Sequence, residues 1–255
     1  MAAEIYLVIP AYQEAATIGT IIDRCSALGI ASRIIVVDDG SRDDTAAIAA
    51  QRGVTVLRHA QNVGKGACLM RGMLAAVEEG AHAIATMDGD GQHRPEDLPR
   101  LLACARAWPT RIVIGSRHAG RHHAPRARVI ANRVADFWIS WAARHPVDDS
   151  QSGFRIYPAE LVHQLARRPA MSRGFAFESE ILIEAAHLGY LTVSVDIPTL
   201  YGAALRRRSH FRPVADITKI VVLVAGKLLA ARMDPVGLWR SLTLPRERCS
   251  TPGRH

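Results

Sequence analysis

The feature that most restricts the fold is an alternation across the first 117 residues. Short, unbroken apolar runs are followed by stretches of helical periodicity, again and again. Residues 5–10 are apolar throughout, as expected of a strand covered on both faces. A helical pattern follows over about 14–28. The same pairing recurs as strand 33–39 with helix 44–51, and as strand 54–59 with helix 64–79. It recurs again as strand 82–88 with a helix from near Pro95, and then as strand 111–117. Strands alternating with helices build βαβ units with right-handed crossovers, so the predicted fold class is α/β with a mostly parallel, twisted sheet flanked by helices. In such sheets ligands bind beyond the carboxyl ends of the strands.

The second half is less regular. Residues 125–143, 177–188 and 214–231 read as helices, 149–155 as a polar loop, 191–201 as a strand and 206–208 as a basic loop. We therefore expect a main domain over 1–212, with a ligand-binding half to 118 and a second half from 119. A C-terminal apolar helix over 213–232 and a tail over 233–255 would follow.

The chain carries a formal net charge of +8, which favours an anionic partner. Aromatic residues make up only 5%, with no aromatic-basic repeat, so the partner is not expected to be nucleic acid. Cys25, Cys68, Cys104 and Cys249 form no CxxC pair, which suggests reduced thiols and a cytoplasmic protein. No stretch supplies the roughly 20 apolar residues that a membrane span needs.

Polar residues gather at the predicted strand ends. Pro10-Ala11-Tyr12-Gln13-Glu14 closes the first strand, and Asp38-Asp39-Gly40-Ser41 closes the second. Asn62-Val63-Gly64-Lys65-Gly66 opens a helix after the third and reads as an anion-binding turn, without the spacing of a P-loop. Asp88-Gly89-Asp90-Gly91-Gln92-His93 follows the fourth, and Gly115-Ser116-Arg117 the fifth. Two carboxylates around a flexible glycine can face one hard cation such as Mg²⁺ or Mn²⁺, with Gln92 as a further oxygen ligand. A buried acid such as Asp39 can accept hydrogen bonds from a base or ribose, while Asp43 or Asp44 can cap the next helix.

Taken in this order, these segments resemble the family 2 glycosyltransferases of GT-A fold, and most closely the polyprenyl-phosphate sugar synthases. Asp149-Ser150-Gln151-Ser152-Gly153-Phe154-Arg155 is similar to that group's Asp-x-x-Ser-Gly-Phe segment. The resemblance spans about residues 4–215. It implies an inverting transfer from a nucleotide-sugar donor to a lipid phosphate; a hydroxyl acceptor on a lipid, pigment or saccharide is the alternative. A nucleotidyltransferase is disfavoured, because residues 11–16 hold neither glycine nor a basic residue.

Carried over by position, Pro10, Tyr12, Glu14, Asp39 and Lys65 would line the donor site together with Asp88, Gly89 and Asp90. Asp88, Asp90 and Gln92 would hold the metal, and Arg117 would face phosphate. Arg128, Arg206, Arg207, Arg208 and His210 would bind acceptor phosphate. Asp149 would sit by the acceptor, as the base if that acceptor is a hydroxyl. Two positions depart from the pattern: Gln13 replaces an asparagine, and His210 a lysine. The apolar helix would either pack in the core or, with Arg212, Lys219, Lys227 and Arg232 at anionic headgroups, give peripheral membrane contact at the cytoplasmic face.

Overall fold

The computed structural model describes residues 4–31, 33–117, 126–168, 171–172, 174–198 and 213–249; the side chains of 126–128 and 213–216 fall outside that description. Among the described residues the sheet carries seven strands in the order β3-β2-β1-β4-β6-β5-β7. They are β1 (Ile5–Ala11), β2 (Arg33–Asp38), β3 (Thr55–Arg58), β4 (Ala83–Thr86), β5 (Ile112–Ser116), β6 (Arg155–Pro158) and β7 (Thr192–Asp196). Of these strands β6 alone runs antiparallel, between β4 and β5.

Around the sheet lie α1 (Ile18–Ala27), α2 (Thr45–Ala50), α3 (Lys65–Glu78), α4 (Leu98–Ala107), α5 (Arg126–Ala143), α6 (Ala159–Ala166), α7 (Phe177–His187), α8 (Pro213–Ala230) and α9 (Pro235–Thr243). The two-residue period of β1 explains the layering. Tyr6 and Val8 point to the face covered by α3 and α5–α7, with Met73, Leu161 and Ile181. Leu7 and Ile9 point to the opposite face, with Ile22 of α1 and Leu101 of α4. Both faces are covered, which is why the strands read as unbroken apolar runs.

The α/β class, the parallel first half and its order of elements are as expected. Three elements are additional. Strand β6 lies where a loop was expected to end, and α6 follows it. Helix α9 lies within the expected tail: Asp234 caps it, accepting from Val236 N at 3.0 Å, and Pro235 opens it. Among the described residues, no helix is long and apolar enough to cross a membrane.

Candidate active site

The ends of β1, β2 and β4 meet at one edge because the strands are parallel and in register, with Ala11 opposite Asp38 and Val8 opposite Thr86. The Thr17 hydroxyl joins two of these ends. It lies 2.7 Å from the Gly89 carbonyl and 3.0 Å from Glu14 Oε2. Gln13 adopts a φ of 55°. That left-handed conformation suits asparagine better than glutamine. The strained turn is held by Gln13 N donating to Ser41 Oγ at 2.8 Å, and by Glu14 N donating to Thr45 Oγ1 at 2.8 Å.

Asp39 is buried and fixed by the turn that opens α3. Its Oδ1 accepts from Val63 N at 2.9 Å, and its Oδ2 from Gly64 N at 2.9 Å. His59 Nδ1 lies 3.1 Å from Oδ1, and Cys68 completes a compact Asp39–His59–Cys68 cluster. Burial raises the Cys68 thiol well above its usual range, so the sulfur stays protonated. With two amides already on the carboxylate, this cluster is a hydrogen-bonded support for Asp39 rather than a vacant set of metal ligands. Asp43, not Asp44, is the structural acid after β2: it accepts from Thr45 N at 3.2 Å and from Ala15 N at 3.2 Å.

Asp88 meets two partners. Lys65, at the start of α3, places its Nζ 2.6 Å from Asp88 Oδ1 and 3.0 Å from Glu178 Oε1. His93 Nε2 lies 3.7 Å from Asp88 Oδ2. Burial alone would raise the Asp88 carboxyl, but the Lys65 ammonium and His93 outweigh it and hold the group ionised, well below the carboxylate range. Asp90 shifts the other way, raised by burial and then by the charge of Asp88. Its Oδ1 accepts from Gln92 N at 2.9 Å, while the Gln92 side chain is exposed. One loop thus carries an ionised carboxylate and a second, more readily protonated one, beside an oxygen-bearing amide. Such an oxygen set suits a hard divalent cation, with the Lys65 ammonium paired to Asp88 in this structure.

Glu178 has no counterpart in the expected site. Its only sequence signal is an acid in the first turn of a helix, which ordinarily reads as a favourable helix-end charge. The structure brings it to Asp88 over Gly153. A Cβ at Gly153 would stand 2.7 Å from Glu178 Oε1 and 2.9 Å from Asp88 Oδ2, so only glycine leaves room for the two carboxylates.

Arg117 and Asp149 come together as a pair. Arg117 Nε and Nη2 donate to Asp149 Oδ2 and Oδ1 at 2.9 and 2.8 Å, and Arg117 N adds a third bond at 2.8 Å. Asp149 is 1% exposed and takes a φ of 49°. This bidentate pair turns the guanidinium toward a carboxylate and occupies the carboxylate with three donors. A base at this position would first have to be released from Arg117. Arg155, fully buried, fixes the same loop by donating to the carbonyls of Ser150, Ser152 and Glu178 at 2.7, 2.7 and 2.8 Å.

The remaining expected contacts divide. Arg128 lies in the backbone of α5, and its side chain is not described. Arg206, Arg207, Arg208, His210 and Arg212 lie outside the described residues. Lys227, expected to meet lipid headgroups, instead turns inward to Glu184, at 2.5 Å, and to Glu180, at 3.3 Å. Two acids on the facing side of α7 attract it more strongly than water does.

A family model for glycosyl transferase family 2 matches residues 6–154. An undecaprenyl-phosphate mannosyltransferase of Micrococcus luteus is 30% identical over 203 residues, covering 74% of this chain and 81% of that protein. A UDP-N-acetylglucosamine–dolichyl-phosphate N-acetylglucosaminyltransferase of Methanococcus voltae is 29% identical, covering 77% and 86%. Glucosyl-3-phosphoglycerate synthase of Mycobacterium tuberculosis, crystallised with Mn²⁺, UDP and phosphoglyceric acid, is similar in structure. Its TM-score is 0.66 at 25% identity, with 90% of this chain and 78% of that one covered. The sheet, the acidic strand ends and these matches agree: the chain belongs to glycosyl transferase family 2, has the GT-A fold and is a glycosyltransferase.

Proposed function

We propose that this enzyme transfers a sugar, with inversion, from a nucleoside-diphosphate sugar to a lipid phosphate of the polyprenyl type. The observation that carries the reading is the Asp88-Gly89-Asp90 turn. It sits at the carboxyl edge of the sheet and is tied through Thr17 to Glu14 on the neighbouring strand end. Two relatives named for lipid-phosphate acceptors, and a structural neighbour crystallised with Mn²⁺ and UDP, support it.

In this reading residues 1–118 form the donor half, where Pro10, Tyr12, Glu14 and Asp39 hold the nucleoside. Asp88 and Asp90, with Gln92, would hold Mg²⁺ or Mn²⁺, which when bound supplies positive charge to the diphosphate leaving group. Lys65, at the amino end of α3, lies on the same side, held by Asp88 and Glu178. The acceptor half, 119–212, would bring Arg128 and the 206–210 loop to the acceptor phosphate. A phosphate acceptor is already anionic near neutral pH and needs no base. That favours it over a hydroxyl, because the Asp149 carboxylate is taken up by Arg117. Exposed Ile217, Val221, Val222 and Leu229 on α8 would place the enzyme at the cytoplasmic face of the membrane.

A thermal-shift panel of GDP-mannose, UDP-glucose and UDP-GlcNAc, each with Mg²⁺ or Mn²⁺, tests the donor side. At a hundredfold excess over Kd the true donor adds about 2.7 kcal/mol, enough to raise Tm by several degrees. If no nucleotide sugar raises Tm beyond the metal alone, the donor reading is wrong.

A further inference from the structure

Helices α5 and α9 carry an outward apolar surface, beyond Arg128 on α5, to which the proposed transfer assigns no role. On α9, Val236, Trp239 and Leu242 recur at three-residue spacing and are 53%, 63% and 63% exposed. On α5, Ile130, Val134 and Phe137 form a matching exposed stripe, beside Trp138. These are not the faces of loose helices. Trp141 Nε1 donates to the Asp234 carbonyl at 2.9 Å, and Arg144 Nε pairs with Asp234 Oδ2 at 2.8 Å, which fixes the start of α9 on the end of α5. The chain then returns to the edge of β7, where Ser194 N donates to the Glu247 carbonyl at 3.0 Å.

Between the two stripes lies a cavity of about 430 Å³, with Phe137 and Leu242 on its walls and Arg133, Arg246 and Arg248 at its polar positions. Arg133 is exposed and makes no hydrogen bond or ion pair among the described residues. Arg246 and Arg248 both lean on the single carboxylate of Asp148. The one acid in the cavity wall, Asp136, is buried and accepts from Ser150 N and Oγ at 2.9 and 2.7 Å. Three guanidiniums therefore meet two inward-held carboxylates, and the opening is left positive.

The charge pattern around the cavity selects its occupant. Among the described side chains of α5, α8 and α9, the only acid is the buried Asp136, while Arg133, Lys219 and Arg240 are exposed. A second copy of this chain would set like charge against like charge. A surface of apolar stripes and cations, without exposed acids among its described side chains, complements an anionic bilayer: the aromatic residues sit at headgroup level and the arginines at the lipid phosphates.

We propose that the paired stripes of α5 and α9 dock on an anionic lipid bilayer, with a lipid phosphate seated among Arg133, Arg246 and Arg248. This surface is separate from the donor site, and the proposal holds whatever the acceptor is. The test is co-sedimentation of the full chain with vesicles of phosphatidylglycerol and phosphatidylcholine, against phosphatidylcholine alone, without donor or polyprenyl phosphate. Failure of the transferase reading would leave this measurement untouched.

Binding is expected only with the anionic vesicles. Trp239→Glu should abolish it, and Arg133→Ala should weaken it about fivefold, as loss of one membrane-facing cation implies. Both variants should keep the far-UV spectrum and thermal transition of the parent. Undiminished binding of Trp239→Glu, or equal binding to neutral vesicles, overturns the proposal. So does a dimer that Trp239→Glu converts to monomer, since the stripes would then be an interface between copies. Binding of inorganic phosphate to the parent but not to Arg133→Ala, without vesicle binding, also overturns it by making the cavity a free-anion site.

Discussion

The two halves of the sheet hold their charged groups by different means. In the first half, backbone amides do most of the work. Asp39 is fixed by the amides of Val63 and Gly64, Asp43 by those of Ala15 and Thr45, and Asp90 by that of Gln92. In the second half, side chains add to the amides of Arg117 and Ser150. Arg117 clamps Asp149, Arg155 gathers three carbonyls, Ser150 meets Asp136, and His145 meets Thr192. Amides follow automatically once a strand or helix end is placed. Side-chain pairs must be matched one by one. The first arrangement tolerates sequence change around it, whereas the second depends on particular residues.

The sharpest way to break this comparison is at Asp90. Its backbone support is local, so Asp90→Ala should fold as the parent does, with a Tm within a few degrees. Its chemistry is not replaceable, because the loop would keep one carboxylate of two. Release of nucleoside diphosphate at saturating Mn²⁺ should fall by about a thousandfold, the scale of several kcal/mol of lost charge stabilisation. Full turnover would falsify the metal assignment. A collapsed Tm would show instead that the first half also leans on its side chains.

The same contrast explains what was legible in the sequence. Strands β1–β5 and helices α1–α4 announce themselves, because buried parallel strands are apolar on both faces and the helices between them repeat at 3.6 residues. The acids at the strand ends, Asp39, Asp88 and Asp90, stand out against that background and could be singled out from the sequence. Glu178 was not, because an acid in the first turn of α7 has an ordinary explanation, and its approach to Asp88 depends on the glycine at 153, 25 residues earlier in the chain. Strand β6 was missed because Arg155-Ile156-Tyr157-Pro158 has a charged start and a proline end. It becomes a strand only through Arg155, whose guanidinium is satisfied by carbonyls from a loop and from α7. Asp149 and Arg117 were both singled out, but their pairing was not foreseen, since no spacing rule links positions 32 residues apart.

That pair offers the second test. Asp149→Asn leaves a neutral amide against a guanidinium that is only 26% exposed. Breaking such a pair from one side should cost about 2–3 kcal/mol in urea unfolding. Turnover should also fall, because the loop that Asp149 anchors borders the site. The pH–rate profile separates the two roles. A positioning residue leaves the shape of the profile unchanged, whereas loss of a general base removes its acid limb. A vanished limb in Asp149→Asn would restore the hydroxyl-acceptor reading.

The narrowest effect, confined to an acidic pH window, should appear at His145, which joins the end of α5 to β7. Its Nδ1 lies 3.1 Å from the Ala143 carbonyl, and Thr192 N donates to its Nε2 at 3.2 Å, an arrangement that fits the neutral ring with its proton on Nδ1. Burial, more than the nearby Arg111 and Arg240, pushes its pKa down to about 4. The unfolded chain, with an ordinary histidine near 6.5, binds this proton more readily than the folded one. The stability held by the neutral ring is therefore fully present above pH 6.5, declines as pH falls toward 4, and is lost below that. The whole swing is on the order of 3 kcal/mol. His145→Gln, which keeps a donor and an acceptor but does not titrate, should flatten the urea-unfolding stability between pH 6.5 and 4 relative to the parent. An equally steep decline in both proteins would place the acid sensitivity in the carboxylates of the first half, and would reverse the contrast drawn between the two sides of the sheet.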